Sequence, residues 1–134
     1  MTRIWERLFI GSLQDAERLA RKNPSGIDTV ITLCEQSVED KAAGVRYIHL
    51  PIEDNEPVPP DQFERVMDSI AVNIQGGNVL INCVLGLSRS PTLTAAYMHR
   101  VGYKHFNFSL AEIERLRPIV DPSETLRGSV KENP

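Results

Sequence analysis

Eight consecutive residues, Cys83-Val84-Leu85-Gly86-Leu87-Ser88-Arg89-Ser90, concentrate the chemistry available to this chain. The most strand-like segment, Val79-Leu80-Ile81, runs straight into them, and a helical pattern starts at about Ser90. A thiol is therefore delivered to a short loop at the N-terminal end of a helix. The unpaired N–H groups of such a loop and of the first helical turn converge above the sulfur. Together with the helix dipole they favour negative charge there, whether a thiolate or a phosphate. The thiolate is the nucleophilic form of cysteine, and a helix N-terminus beside a cation promotes it. Gly86 lets the backbone wrap an anion with no Cβ in the way. Arg89 can hold two phosphate oxygens bidentately, which a lysine cannot. Ser90 can cap the start of the helix. A cysteine alone reads as a buried core residue. In this company it reads as a nucleophile inside an anion cradle made by Val84, Leu85, Gly86, Leu87, Ser88 and Arg89.

The remaining elements must hold that loop in place. Leu8 to Ile10 reads as a short strand closed by Gly11-Ser12, and Leu13 to Arg21 carries Leu13, Ala16, Leu19 and Ala20 at helical spacing. Asp28 to Leu33 is a near-continuous β-favouring run typical of a buried strand, and Tyr47 to Ile52 reads as another. Glu53 to Pro60 is an acidic, proline-rich loop. Asp61 to Gln75 reads as a helix with Phe63, Val66, Met67 and Ile70 on one face, ended by Gly76-Gly77. The helix after the cysteine loop tolerates Pro91 in its first turn, with Gly102 placed to cap its end. Ser109 to Arg117 is expected as a helix, with Ser109 and Glu112 arranged as a capping box. A final helix is expected after Asp121-Pro122. Alternating strands and helices predict an α/β fold with a central, largely parallel sheet flanked by helices. Ligands in such sheets bind where strands end and helices begin, which is where Cys83 lies.

Composition sets the outer limits. The 134 residues suffice for one domain, 1–134, with 41% apolar and 25% charged residues, as in ordinary globular proteins. A formal charge of −3 gives no basic field for a nucleic-acid partner. No stretch approaches the roughly 18 apolar residues of a membrane span, and no secretory signal is evident at the N-terminus. Two cysteines, Cys34 and Cys83, are too few for a disulfide framework and have no metal-ligand spacing, which suits a reducing cytoplasm. Cys34 ends a predicted strand on the same sheet edge as Cys83, as a buried structural cysteine or as a partner for a reversible disulfide. His49, His99 and His105 show no ligand spacing.

The loop also resembles the C-x5-R-S/T signature of the protein-tyrosine phosphatase superfamily. Ser88-Arg89-Ser90-Pro91-Thr92-Leu93 with Ala96-Tyr97-Met98 resembles its dual-specificity branch, small atypical type. So do Leu8-Phe9-Ile10-Gly11-Ser12-Leu13 with Asp15-Ala16, His49-Leu50-Pro51-Ile52-Glu53-Asp54, and Arg115-Leu116-Arg117-Pro118, which spread over nearly the whole chain. The resemblance implies a phosphatase fold and a phosphomonoesterase in which Cys83 forms a phosphocysteine, Arg89 and the loop amides hold the phosphate, and Ser90 stabilises the departing thiolate. It also implies Asp54 as general acid; Glu53 and then Asp61 are the alternative carboxylates. Two departures stand out: Asn82 replaces the histidine usual before the nucleophile, and Asp121-Pro122-Ser123-Glu124 replaces the usual Pro-Asn pattern. Asn82 can bracket the loop with neutral hydrogen bonds but carries no charge. It alone favours a second reading, a pseudophosphatase that binds phosphorylated partners without turnover. A phosphoinositide phosphatase would want lysines in the loop, where Val84, Leu85 and Leu87 are apolar. The expectation is a cytoplasmic monomer acting on a phosphorylated protein or another phosphomonoester, with no metal or cofactor.

Overall fold

Side-chain alternation along three buried strands decides which helix covers which face of the sheet. A computed structural model describes residues 1–131. In chain order it holds β1 (Thr2–Trp5), β2 (Leu8–Gly11), α1 (Leu13–Arg18), β3 (Ile27–Thr32), β4 (Arg46–His49), α2 (Pro60–Ile74), β5 (Asn78–Asn82), α3 (Arg89–Arg100), α4 (Phe106–Leu116) and α5 (Glu124–Lys131). The strands form one sheet in the order β1-β2-β5-β3-β4. The β2–β5, β5–β3 and β3–β4 pairs are parallel and only the β1–β2 edge is antiparallel. The expected largely parallel α/β sheet is thus observed.

Because successive strand residues point to opposite faces, each central strand feeds two cores. Ile10, Ile31, Val79 and Ile81 join the larger core with Phe63 and Ile70 of α2, Leu93 and Met98 of α3, Ile113 of α4 and Leu126 of α5. Phe9, Val30 and Leu80 face the other way, onto Ala16 of α1, Leu19 and Val38. Val79, Leu80 and Ile81 are fully buried, each contributing about 1.5–3 kcal/mol. That burial fixes the register of β5, and with it the position of Cys83, since a slip by one residue would turn every side chain to the wrong face. Helix α3 lies inside the larger layer, with Arg89 to Met98 all buried. Among the described residues no helix is long and apolar enough to cross a membrane.

Several local expectations are corrected. The short edge strand β1 was not anticipated; it has a single well-buried residue, Ile4, to mark it. Helix α4 begins three residues before Ser109, with His105 as N-cap, its Nδ1 accepting from the Asn107 amide at 3.2 Å. Ser109 and Glu112 form no capping box: Ser109 is fully buried and donates to the Lys104 carbonyl at 3.1 Å, while Glu112 pairs with Arg115. The box that does form is Ser12 with Asp15, at the start of α1. Helix α1 also ends at Arg18 rather than Arg21, and β4 ends at His49 rather than Ile52.

Candidate active site

The loop between β5 and α3 has a consistent polarity, carbonyls outward and amides free. The Val84 carbonyl accepts from the Leu13 amide at 3.0 Å, that of Leu87 from the Asp121 amide at 2.8 Å, and that of Ser88 from the Thr92 amide at 3.0 Å. The buried Arg117 takes the other two, donating from Nε to Gly86 O at 2.9 Å and from Nη2 to Leu85 O at 3.2 Å, while its Nη1 reaches Thr2 Oγ1 at 2.8 Å. The amides of Val84, Leu85, Gly86, Leu87 and Ser88 make no hydrogen bond among the described residues. Backbone N–H groups with no protein acceptor, gathered in one short loop at a helix start, are the donors of an anion-binding cradle. Gly86 makes the turn possible with φ +71°, and a Cβ there would lie 2.6 Å from Gly11 O.

Cys83, Val84, Leu85, Leu87, Ser88 and Arg89 line a cleft of about 200 Å³ together with Asp54 and Asp121. Six loop residues expected from the sequence therefore meet there with the favoured carboxylate. Gly86 is buried in the turn. Ser90 lies behind the nucleophile, its Oγ 2.9 Å from Cys83 Sγ and fully buried. Ser90 does not cap α3, because the N-cap position belongs to Ser88. Glu53 and Asp61 are exposed and neither lines the cleft.

Arg89 is 8% exposed and held on one side only. Its Nη1 donates to Glu35 Oε1 and Oε2 at 3.2 and 3.4 Å and to the Ile52 carbonyl at 3.2 Å. Neither Nε nor Nη2 makes a hydrogen bond among the described residues, so the side-on edge of the guanidinium remains for a phosphate. Its own backbone amide, and then the Arg89 guanidinium against a small desolvation penalty, hold the Glu35 carboxyl below the usual carboxylate range. Burial pushes the Cys34 thiol up, with Arg89 pulling the other way and Cys83 adding to the rise. Cys34 and Cys83 are both free and buried, and the Cys34 thiol points to the Gln36 carbonyl at 3.5 Å. Asn82 is fully buried, with Oδ1 accepting from Thr32 Oγ1 at 2.8 Å and Nδ2 reaching the Cys83 carbonyl at 3.5 Å.

Glu35, Asp121 and the bracing role of Arg117 escaped the sequence reading. Arg117 appeared there only within a family-like closing segment. Glu35 gave no signal, because nothing in sequence brings it within reach of Arg89, 54 positions away.

The comparisons agree with this geometry. A family profile described as dual specificity phosphatase, catalytic domain, matches residues 8–133. Human dual specificity protein phosphatase 15 is 29% identical over 127 residues, covering 93% of this chain and 43% of that protein. The chain spans between 43% and 57% of the length of the human, mouse and rat forms of that relative. A crystal structure of DUSP15 superimposes with a TM-score of 0.87 at 28% identity, covering 98% of this chain and 85% of that one. Human DUSP28 shares the fold, with a TM-score of 0.85 at 22% identity over 99% of this chain and 94% of that one.

Proposed function

The chain belongs to the dual specificity phosphatase catalytic-domain family, and from that premise we propose that residues 1–134 act as one domain hydrolysing phosphomonoesters through a phosphocysteine. Phosphotyrosine in proteins is the first substrate class, with phosphoserine and phosphothreonine as further ones. One observation carries the reading: five successive loop carbonyls are turned away and engaged, while the five amides are left for an anion around a free thiol.

In the first step the Cys83 thiolate attacks phosphorus, and the S–P bond forms as the bond from phosphorus to the leaving oxygen breaks. Asp54 gives its proton to that oxygen. The loop amides and the free edge of Arg89 hold the other phosphate oxygens as charge redistributes. In the second step water attacks phosphorus, Asp54 takes a proton from it, and the S–P electron pair returns to sulfur. Ser90 donates its hydroxyl hydrogen to the released thiolate, as the 2.9 Å Sγ–Oγ separation allows. Each residue named comes from one chain, so a monomer suffices. The apolar Val84, Leu85 and Leu87 suit an aryl phosphate better than a polyphosphorylated inositol.

The test is turnover of para-nitrophenyl phosphate. Cys83→Ser is expected to fall to background while still binding tungstate, and Arg89→Lys to lose both turnover and oxyanion affinity because the fork is gone. Appreciable turnover by Cys83→Ser would reject the covalent route. A wild-type chain that binds tungstate and never turns over would instead support the phospho-binding module.

A further inference from the structure

Helix α3 starts at Arg89 with Ser88 in the N-cap position, yet the Ser88 hydroxyl caps nothing. A serine there ordinarily accepts an amide of the first helical turn. Here that would occupy a donor close to the anion site. The hydroxyl instead donates to Asp54 Oδ1 at 2.7 Å and accepts from the Ser123 amide at 2.9 Å.

The proton arrangement follows from what each partner can do. A backbone amide only donates, so an Oγ lone pair faces Ser123 and the single hydroxyl hydrogen is left for Asp54. Asp54 Oδ1 is thereby committed as an acceptor. We propose that Ser88 is a positioning residue that assigns the catalytic proton of Asp54 to Oδ2, turning that oxygen toward the leaving group. This rests on the reading of Asp54 as general acid. In the first step the proton leaves Oδ2 for the departing oxygen, and in the second Oδ2 takes a proton from the attacking water. Ser88 keeps its own hydrogen throughout and donates to Oδ1 in both. The Ser123 amide, 35 positions further along the chain, keeps the hydroxyl from turning round. Asp54 sits in a loop with no regular secondary structure, between His49 and Pro60, so it needs such a tether.

A series of aryl phosphates with graded leaving groups, read by pre-steady-state phenolate release, separates these claims. General acid catalysis contributes about 10²–10⁴-fold, most for the poorest leaving groups. Wild type is expected to show little dependence on the leaving group and Asp54→Asn a steep one. Ser88→Ala is expected to fall between them, losing about tenfold with phenyl phosphate and less than about twofold with a dinitrophenyl phosphate. Ser88→Thr keeps the hydroxyl and is expected to restore the shallow slope. The double variant Ser88→Ala/Asp54→Asn is expected to be no worse than Asp54→Asn alone. Tungstate affinity within a few-fold of wild type would show that Ser88→Ala leaves the cradle folded. A wild-type slope in Ser88→Ala beside a steep one in Asp54→Asn overturns the positioning role and leaves the acid standing. A shallow slope in Asp54→Asn overturns the acid itself, and Ser88 with it. Equal loss across all leaving groups in Ser88→Ala would reduce Ser88 to a structural part of the loop.

Discussion

Asn82 stands immediately before the nucleophile, where the family pattern usually has histidine, and its surroundings define what it does. It is fully buried and neutral, with its carboxamide oxygen bound to the Thr32 hydroxyl across the β3–β5 junction. Position 82 therefore places no charge beside the loop, and its neutral carboxamide ties the ends of β3 and β5 together beneath the nucleophile. Asn82→Ala leaves the Thr32 hydroxyl, 3% exposed, without its acceptor. An unsatisfied buried donor costs about 1–3 kcal/mol. The variant is expected to unfold at lower urea concentration with an unchanged m-value. Adding Thr32→Val removes the stranded hydroxyl, so the double variant is expected to lose less than the two single variants summed. Strict additivity would mean that the two side chains do not act on one another.

At the scale of elements, the β5–loop–α3 unit depends on one backbone conformation. Gly86 at φ +71° approaches the Gly11 carbonyl and the Arg117 guanidinium so closely that a Cβ would stand 2.6 and 2.7 Å from them. Gly11 is held in the β2–β5 ladder opposite Asn82 and cannot retreat. Gly86→Ala therefore meets a left-handed penalty of about 1–2 kcal/mol and an overlap costing about 1–3 kcal/mol. Its melting temperature is expected to drop by roughly 5 °C or more, with tungstate binding lost. Retained affinity in a melt like wild type would show that the loop can form another way. The unit was readable in the sequence because its parts are contiguous: an apolar strand, a glycine, an arginine at a set offset and a helix. What was not readable came from elsewhere in the chain. Arg117 and Ser123 reach the loop from 31 and 35 positions away, and no local pattern encodes that distance. Helix α4 was misplaced because Ser109 and Glu112 imitate a capping box, while the true start is marked by His105, an uncommon cap, and buried Phe106.

Across the whole molecule, the loop is braced by pieces that enclose nearly the full described chain. Thr2 holds Arg117, Leu13 holds Val84, the Leu33 amide holds the Asn82 carbonyl, and Asp121 and Ser123 hold Leu87 and Ser88. An anion that binds this loop therefore binds only the folded chain, and at a hundredfold excess over its Kd it is expected to add about 2.7 kcal/mol to global stability. The measurement is the urea midpoint with and without tungstate, and an unmoved midpoint would reject the coupling. The uncapped start of α3 has a further consequence for motion. With the Ser88 hydroxyl committed to Asp54 and Ser123, no side chain among the described residues closes the first turn of that helix. A bound phosphate would supply the acceptors that a capping residue normally gives, and would then act as a temporary piece of secondary structure. Hydrogen–deuterium exchange should register this as slowed exchange of the amides from Val84 to Ser90 whenever an oxyanion occupies the site, with fast exchange returning on its release. Each catalytic cycle would then close and reopen the end of a helix, so the breathing of α3 and the departure of phosphate become one event on one clock.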